Sequence, residues 1–153
     1  NKRKIQIWPV YANEKVRKPI ENIIKDVAPD LDIELFEPKN NHLLMQQCHR
    51  AIATSGTLTL ELALYNIPTA VIYKISRLNY IIAKYIFRIN LSHYCLVNII
   101  AGKTLFPEFF GYKISPEHIV QSLQNIESCE QIKHILGEEN ASDNAAKEIL
   151  AIL

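Results

Sequence analysis

The sequence predicts a parallel, three-layer α/β sheet, and three observations support this. Short apolar runs typical of strands alternate with longer amphipathic stretches typical of helices. The segments between successive strand stretches have helical patterns, as the crossover connections of parallel strands require. A Ser-Gly-Thr turn at 55–57 joins one strand to a helix, at the place where such sheets bind ligands.

The elements can be placed in chain order from these patterns. Apolar alternation or continuous apolar runs predict strands at 4–10, 32–36, 50–54 and 69–73. Helical spacing of apolar residues predicts helices at 13–27, 40–48, 57–66, 116–126, 130–136 and 145–153. Pro19 lies inside the first helix pattern and is expected to start or kink that helix. Residues 92–103 are expected to form a short strand followed by a loop.

Composition restricts the function classes. A chain of 153 residues with 48% hydrophobic residues can build one core, and its net charge of +1 does not favour nucleic acid as a partner. Three distant cysteines without CxxC spacing, and histidines without ligand spacing, predict a reducing compartment and no metal. No apolar run reaches membrane-spanning length. Because the first residue is Asn rather than Met, we expect a piece of a longer protein.

The turn after the strand at 50–54 is the principal candidate for ligand binding. The first N–H groups of a helix lack internal partners and form the positive end of its dipole, so this turn can bind a phosphate. Gly56 lets a ligand approach the backbone, and Ser55 and Thr57 can cap the helix or donate to phosphate oxygens. Glu61, one helical turn after Thr57, can accept from a ribose diol or stabilise the helix N-terminus. For the tripeptide alone, ordinary helix capping is the more common explanation.

Residues 74–90 are predicted to form a helix that is apolar or aromatic around most of its circumference. Such a helix is either buried or bound at a membrane surface, where basic residues beside Tyr, Phe and Ile are typical. On the second interpretation, the residues that contact the membrane or acyl chains are Arg77, Tyr80, Lys84, Tyr85, Phe87 and Arg88.

Four blocks of residues together resemble one family. They are Ser55-Gly56-Thr57-x-Thr59-Leu60-Glu61, Pro68 with Tyr73 five residues later, Leu96-x-Asn98-Ile99-Ile100-Ala101-Gly102-Lys103, and Pro107-Glu108. Their order and spacing are similar to the C-terminal half of lipid-A-disaccharide synthases, over most of residues 4–124. The resemblance implies an inverting glycosyltransferase of the two-domain GT-B architecture. This chain would be its Rossmann-like half, which binds the donor nucleotide sugar.

The resemblance also implies a reaction and its partners. Enzymes of this family transfer 2,3-diacylglucosamine from its UDP donor to 2,3-diacylglucosamine 1-phosphate (lipid X), invert the anomeric centre and release UDP. The resemblance implies no cofactor. It also implies that the protein is cytoplasmic and bound peripherally to the inner membrane. The general base and a Gly-Ser-Arg diphosphate motif would lie in an N-terminal half. This chain alone is therefore expected to bind weakly and not to turn over.

The family pattern assigns residues to the donor site. UDP binding is implied for Ser55, Gly56, Thr57 and Glu61, and a donor-cleft position for Asn98, Lys103 and Glu108. From the residues alone, Asn98 is predicted to cap a loop. Glu108 is predicted either to bind sugar or ribose hydroxyls or to cap the following turn. The chain departs from the pattern at Val97, Lys103, Thr104 and Gly111, where Pro, Arg, Glu and Gln are usual. Lys103 keeps a positive charge but lacks the planar fork of arginine.

Residues 1–137 are expected to form the donor-binding domain. Segment 138–153 is expected to be a polar linker and a helix that packs on an N-terminal half, on its own domain, or on a second copy in a homodimer.

Two other functions fit part of the pattern. One is another UDP-sugar transferase of GT-B architecture, such as the one that adds N-acetylglucosamine to the peptidoglycan lipid precursor; the block 96–103 favours the lipid A family over it. The other is a non-catalytic membrane-association module, in which the helix at 74–90 is the functional surface and the turn is only a cap.

Overall fold

The structure is a computed structural model that describes residues 6–31, 33–54, 56–82, 91–126, 128–136 and 141–152. It divides into two compact units, residues 1–48 and 49–153. Both contain helices, and the second contains a three-stranded parallel sheet. The predicted α/β class is therefore confirmed.

The first unit is mainly helical. Helix α1 spans Glu14–Val27 and begins at Asn13, whose side-chain oxygen accepts a hydrogen bond from the backbone N–H of Lys15 at 3.1 Å. Pro19 lies inside α1 rather than at its start. Helix α2 spans Asn41–Gln47. In the described part of the predicted strands 4–10 and 32–36, the pairing is a single parallel bridge between Val10 and Phe36.

The second unit is built on strands β1 (Ala51–Thr54), β2 (Thr69–Lys74) and β3 (Glu108–Gly111). They are all parallel, in the order β1-β2-β3, and Val71 on β2 pairs with Glu108 on β3. The strands β1 and β2 confirm the predictions at 50–54 and 69–73. Because all three strands run the same way, their carboxyl ends share one edge of the sheet, which is called the carboxyl edge below.

The described residues of this unit form helices on either side of the strands in the chain. They are α3 (Thr57–Leu64), α4 (Arg77–Ile81), α5 (Leu96–Ala101), α6 (Pro116–Gln124), α7 (Gln131–Leu136) and α8 (Ala141–Ile152). Helix α3 connects β1 to β2, and α4 and α5 lie between β2 and β3, as crossover connections require. Helix α8 begins four residues before the predicted start at 145, so part of the expected linker is helical.

The prediction for residues 92–103 was wrong, because residues 96–101 form helix α5. The helix ends at Gly102, whose φ of 64° is the left-handed conformation that glycine favours. The polar residue inside it, Asn98, suggested a loop; it is tolerated in the helix because its side chain is hydrogen-bonded elsewhere in the fold. Strand β3 was not predicted.

The core of the second unit lies where α3, α5 and α7 pack together over the sheet. Its fully buried members include Ala63 of α3, Val97 of α5, Ile132 of α7, Val71 of β2 and Phe106. Two cysteines, Cys95 and Cys129, complete the cluster. Within the part of the chain that the structure describes, no helix combines the length and apolar character needed to cross a membrane.

Candidate functional site

Helices α3, α4 and α6 begin just beyond the carboxyl edge. The N-termini of α4 and α6 are capped by serine side chains: Ser76 Oγ accepts from the N–H of Asn79 at 3.1 Å, and Ser115 Oγ from the N–H of His118 at 3.3 Å. The N-cap residue of α3 is Gly56, which has no side chain to accept a hydrogen bond. The first N–H groups of α3, those of Thr57 and Leu58, can therefore be offered to an external anion.

The backbone of Gly56 explains why glycine stands there. Its φ of 145° lies in the region that residues with a Cβ rarely adopt. A Cβ added at this position would meet no atom of the described chain within 4 Å, so the space beside Gly56 is open. The requirement for glycine therefore comes from the backbone conformation, and the open space lets a ligand reach the turn.

The other residues of the predicted UDP site lie on or before α3. Thr57 is exposed at the first position of the helix, and Glu61 is half-buried one turn further along. Residues four apart lie on the same side of a helix, so both side chains lie beside the open turn. Ser55, the fourth predicted residue, lies outside the described residues.

One contributor to this turn was missed by the sequence reasoning. Thr59 is fully buried, and its hydroxyl donates to the carbonyl oxygen of Gly56 at 2.8 Å. The signal was present, since a threonine three residues after an N-cap glycine can bond back to the turn, but no role was assigned to it.

The structure brings two of the predicted donor-cleft residues, Asn98 and Glu108, into one buried hydrogen-bond cluster. Asn98 is fully buried, and its Nδ2 donates to the carbonyl oxygen of Phe106 at 2.7 Å and to Glu108 Oε1 at 2.6 Å. Its Oδ1 accepts from the backbone N–H groups of Leu105 and Phe106 at 2.8 and 2.9 Å. These four bonds use the side chain's two donors and both acceptor positions, so Asn98 acts within the protein as a clamp between α5 and the approach to β3.

The carboxylate of Glu108 holds the start of α5. Its Oε2 accepts from the backbone N–H groups of Tyr94 and Cys95 at 2.8 and 3.0 Å. The Nδ1 atom of His93 lies 3.7 Å from Oε1, and the Glu108 side chain is only 11% exposed. A negative charge is favourable at a helix N-terminus. Glu108 thus caps the preceding helix α5 rather than the turn that follows it.

Lys103, the third predicted donor-cleft residue, lies elsewhere. It lines a cleft together with Ser122, Asn125 and Ser128. Ser128 donates to the side chain of Asn66, which precedes β2, and Lys103 itself precedes β3. This cleft therefore lies at the amino ends of the strands, opposite the edge that carries Gly56.

The described part of the predicted helix 74–90 lies at the surface. Helix α4 has no buried residue; Leu78 is 66% exposed and Ile81 43%. The ring centroid of Tyr80 lies 6.4 Å from that of Phe110 and 5.4 Å from that of Tyr112. The exposure of α4 shows that the prediction of a buried helix was wrong for residues 77–81. Four of the predicted membrane-contact residues, Lys84, Tyr85, Phe87 and Arg88, lie outside the described residues.

Phe110 and Tyr112 were not predicted for this surface. Both are more than a third exposed, and Phe110 also stacks on Tyr94 with a centroid distance of 4.8 Å and an interplanar angle of 7°. They follow α4 by some thirty residues in the chain, so only the fold brings them to Tyr80. The aromatic patch of Tyr80, Tyr94, Phe110 and Tyr112 therefore joins α4 to the end of β3.

The parallel sheet with its crossover helices places this chain in the class of Rossmann-like α/β domains, which commonly bind ligands at the carboxyl edge of the sheet. Comparison with known proteins is more specific. The lipid-A-disaccharide synthetase family model matches residues 2–150, and the chain belongs to this family. The resemblance seen in the sequence is thereby confirmed.

Three relatives illustrate the match, each called lipid-A-disaccharide synthase. The protein of Chlamydia trachomatis serovar D is 36% identical over 122 residues, which cover 72% of this chain and 20% of the relative. That of Wigglesworthia glossinidia brevipalpis is 35% identical over 78% of this chain and 30% of the relative. That of Synechocystis is 28% identical over 95% of this chain and 41% of the relative. The chain thus spans less than half the length of these relatives.

Proposed function

We propose that this chain is the donor-binding half of a glycosyltransferase of lipid A biosynthesis. The complete enzyme would transfer 2,3-diacylglucosamine from its UDP donor to 2,3-diacylglucosamine 1-phosphate, with inversion, and release UDP. The observation that carries the proposal is the open N-terminus of α3, with Gly56 as its N-cap, in a chain that belongs to the lipid-A-disaccharide synthetase family.

In the proposed mechanism, the start of α3 binds the diphosphate of the donor. Backbone N–H groups around Gly56 and Thr57 are aligned along the helix, and the positive end of its dipole favours the negative charge that develops on departing UDP. Ser55 is assigned to the same turn, and Glu61 accepts hydrogen bonds from the ribose hydroxyls. No step requires a cofactor, and the general base is assigned to the other half of the enzyme.

We assign a positioning role to Asn98 and Glu108. Their polar atoms are occupied by contacts within the protein, so they act on the donor cleft by holding α5 and the segment at Tyr94 in place. The donor-cleft role of Lys103 stays a prediction, and its location at the amino ends of the strands does not support it.

Two surfaces would serve membrane and protein partners. Arg77 and Tyr80, with exposed Leu78 and Ile81, would face the cytoplasmic leaflet of the inner membrane and the acyl chains of the substrates, because cationic and aromatic side chains favour that interface. The exposed apolar residues of α8, which are Ile149, Leu150 and Ile152, would be covered by the N-terminal half or by a second copy in a homodimer.

A UDP titration followed by thermal unfolding in EDTA tests the proposal. At about one hundred times its dissociation constant, UDP should stabilise the chain by roughly 2.7 kcal/mol. We expect Glu61→Ala and Gly56→Val to lose this shift. Gly102→Val is the matched control. Gly102 is also exposed and also has a positive φ, but it lies at the C-terminal end of α5, away from the proposed site. A shift that survives in Gly56→Val would place the nucleotide elsewhere.

The exposed α4 favours one alternative, a membrane-association module without nucleotide binding. Cosedimentation with vesicles that contain anionic lipid separates the two proposals. Binding to vesicles without any response to UDP would support the module. Binding to both is expected of a transferase with acylated substrates, and Tyr80→Ser should then weaken vesicle binding but leave the UDP shift unchanged.

A further inference from the structure

The turn that carries Gly56 is held by a buried side chain, that of Thr59. Thr59 has no exposed surface, and its hydroxyl donates to the Gly56 carbonyl oxygen at 2.8 Å. The backbone N–H of Thr59 donates to the same oxygen at 3.2 Å. The carbonyl of Gly56 is thus fixed by two hydrogen bonds from one residue inside α3.

Fixing this carbonyl also fixes the N–H group that follows it. The peptide group between Gly56 and Thr57 is planar and trans, so its C=O and N–H point in opposite directions. Because the carbonyl accepts hydrogen bonds from inside α3, the N–H of Thr57 points the other way, out of the N-terminal end of the helix. An anion at the start of the helix would meet this N–H group.

Glycine makes the turn possible but does not hold it. Its backbone has access to many conformations, and a φ of 145° is only one of them. Ordering an N–H group upon binding costs free energy and so weakens the affinity for the ligand. An N–H group that is already ordered in the free protein avoids this cost. The buried hydroxyl of Thr59 supplies the restraint that Gly56 lacks.

We propose that Thr59 is a positioning residue of the diphosphate site, which orients the N–H of Thr57 without touching the ligand. This inference rests on the proposed UDP site at the same turn. It predicts that the Thr59 hydroxyl increases the affinity for UDP, which carries the diphosphate, and leaves the affinity for uridine unchanged. The reason is that the uracil and ribose do not bind to the turn itself.

The test compares the affinity of the chain for UDP and for uridine, measured by NMR titration up to millimolar ligand. Thr59→Val keeps the branched shape and removes the hydroxyl, and we expect it to weaken UDP binding roughly tenfold. Thr59→Ser restores the hydroxyl and should restore the affinity. Uridine binding should be equal in all three proteins.

Thr69→Val is the matched control. Thr69 is also fully buried, and its hydroxyl also donates to a backbone carbonyl at 2.8 Å, that of Ile67, but it lies at the first residue of β2. Its loss should lower stability in a similar way without changing UDP affinity. Thermal unfolding of each variant, in the absence of ligand, shows whether the two valine variants are equally folded.

The outcomes separate the inference from the proposed function. Equal UDP affinity of the parent and Thr59→Val would overturn the positioning role and leave the UDP site intact. Equal losses for UDP and uridine, or equal losses in Thr59→Val and Thr69→Val, would show a general structural effect and would also overturn it. A parent chain with no response to millimolar UDP would overturn the proposed site, and the inference with it.

Discussion

Replacing Asn98 by leucine, which has a similar size but no polar atoms, should destabilise the second unit strongly. The four hydrogen bonds of this side chain connect the middle of α5 to the segment that enters β3 and to the carboxylate of Glu108.

The magnitude follows from what the substitution leaves behind. Each neutral hydrogen bond contributes about 0.5–1.5 kcal/mol net, and one to a charged group about 1.5–3 kcal/mol. The N–H and carbonyl groups of Phe106, a residue without exposed surface, would lose their Asn98 partners. Water can reach the half-buried Leu105, which reduces the loss there. We therefore expect the free energy of unfolding to fall by about 3–5 kcal/mol.

Urea unfolding followed by circular dichroism measures this loss. With a slope typical of small domains, the midpoint should fall by about 1.5–2.5 M urea. Asn125→Leu is the control, because Asn125 is an exposed residue at the end of α6 and its replacement should change stability by less than about 0.5 kcal/mol. A loss in Asn98→Leu no larger than that of the control would refute the clamp.

Three further outcomes follow from other contacts. Glu108→Gln removes the charge at the start of α5 and should lower the free energy of unfolding by about 1–2 kcal/mol in the same assay; no change would mean that the charge does not stabilise the helix. Asn66 has a φ of 55°, and its side-chain oxygen accepts from the N–H of Cys129 at 2.6 Å. Asn66→Ala loses both the tolerance of the left-handed conformation and the hydrogen bond to Cys129, so the free energy of unfolding should fall by about 2 kcal/mol. Asn66→Gly loses only the hydrogen bond and should lower it by about 1 kcal/mol. Equal losses would show that the backbone conformation is not strained. Burial raises the pKa of the Cys129 thiol from 9.0 to about 11, so its contribution to stability is present below pH 9 and is lost between pH 9 and about 11. The free energy of unfolding should fall by up to about 1.4 kcal/mol per pH unit in that window, and Cys129→Ala should flatten the slope; an unchanged slope would contradict the role of this thiol.

Local patterns were sufficient for the elements that touch the proposed nucleotide site. The strand at 51–54, the glycine turn and the helix from Thr57 were all predicted within two residues, because apolar runs and a turn glycine are short-range signals. The sequence left open whether Ser55 or Thr57 caps α3, and the structure makes Gly56 the N-cap.

Long-range contacts explain the errors. Helix α5 was predicted as a strand and loop because Asn98 interrupts its apolar pattern, and the partners that satisfy Asn98 lie seven to ten residues further on. Capping of the following turn, one of the two roles left open for Glu108, was wrong, because its carboxylate caps a helix that begins twelve residues earlier. Its other role, binding of sugar or ribose hydroxyls, stays a prediction. Neither partner can be read from the spacing of neighbouring residues.

The sequence by itself determined the α/β class and the family, and it located the turn that is proposed to bind an anion, because periodicity, turn glycines and motif order are properties of the chain. The tertiary structure decided which polar residues are free to meet a ligand. Asn98 and Glu108 carry donor-site motifs, yet their polar atoms are bound within the protein, and Lys103 lies at the amino ends of the strands. The physical reason is that hydrogen-bond partners of buried polar groups come from any segment that folding brings near, so only the fold shows which groups are already satisfied.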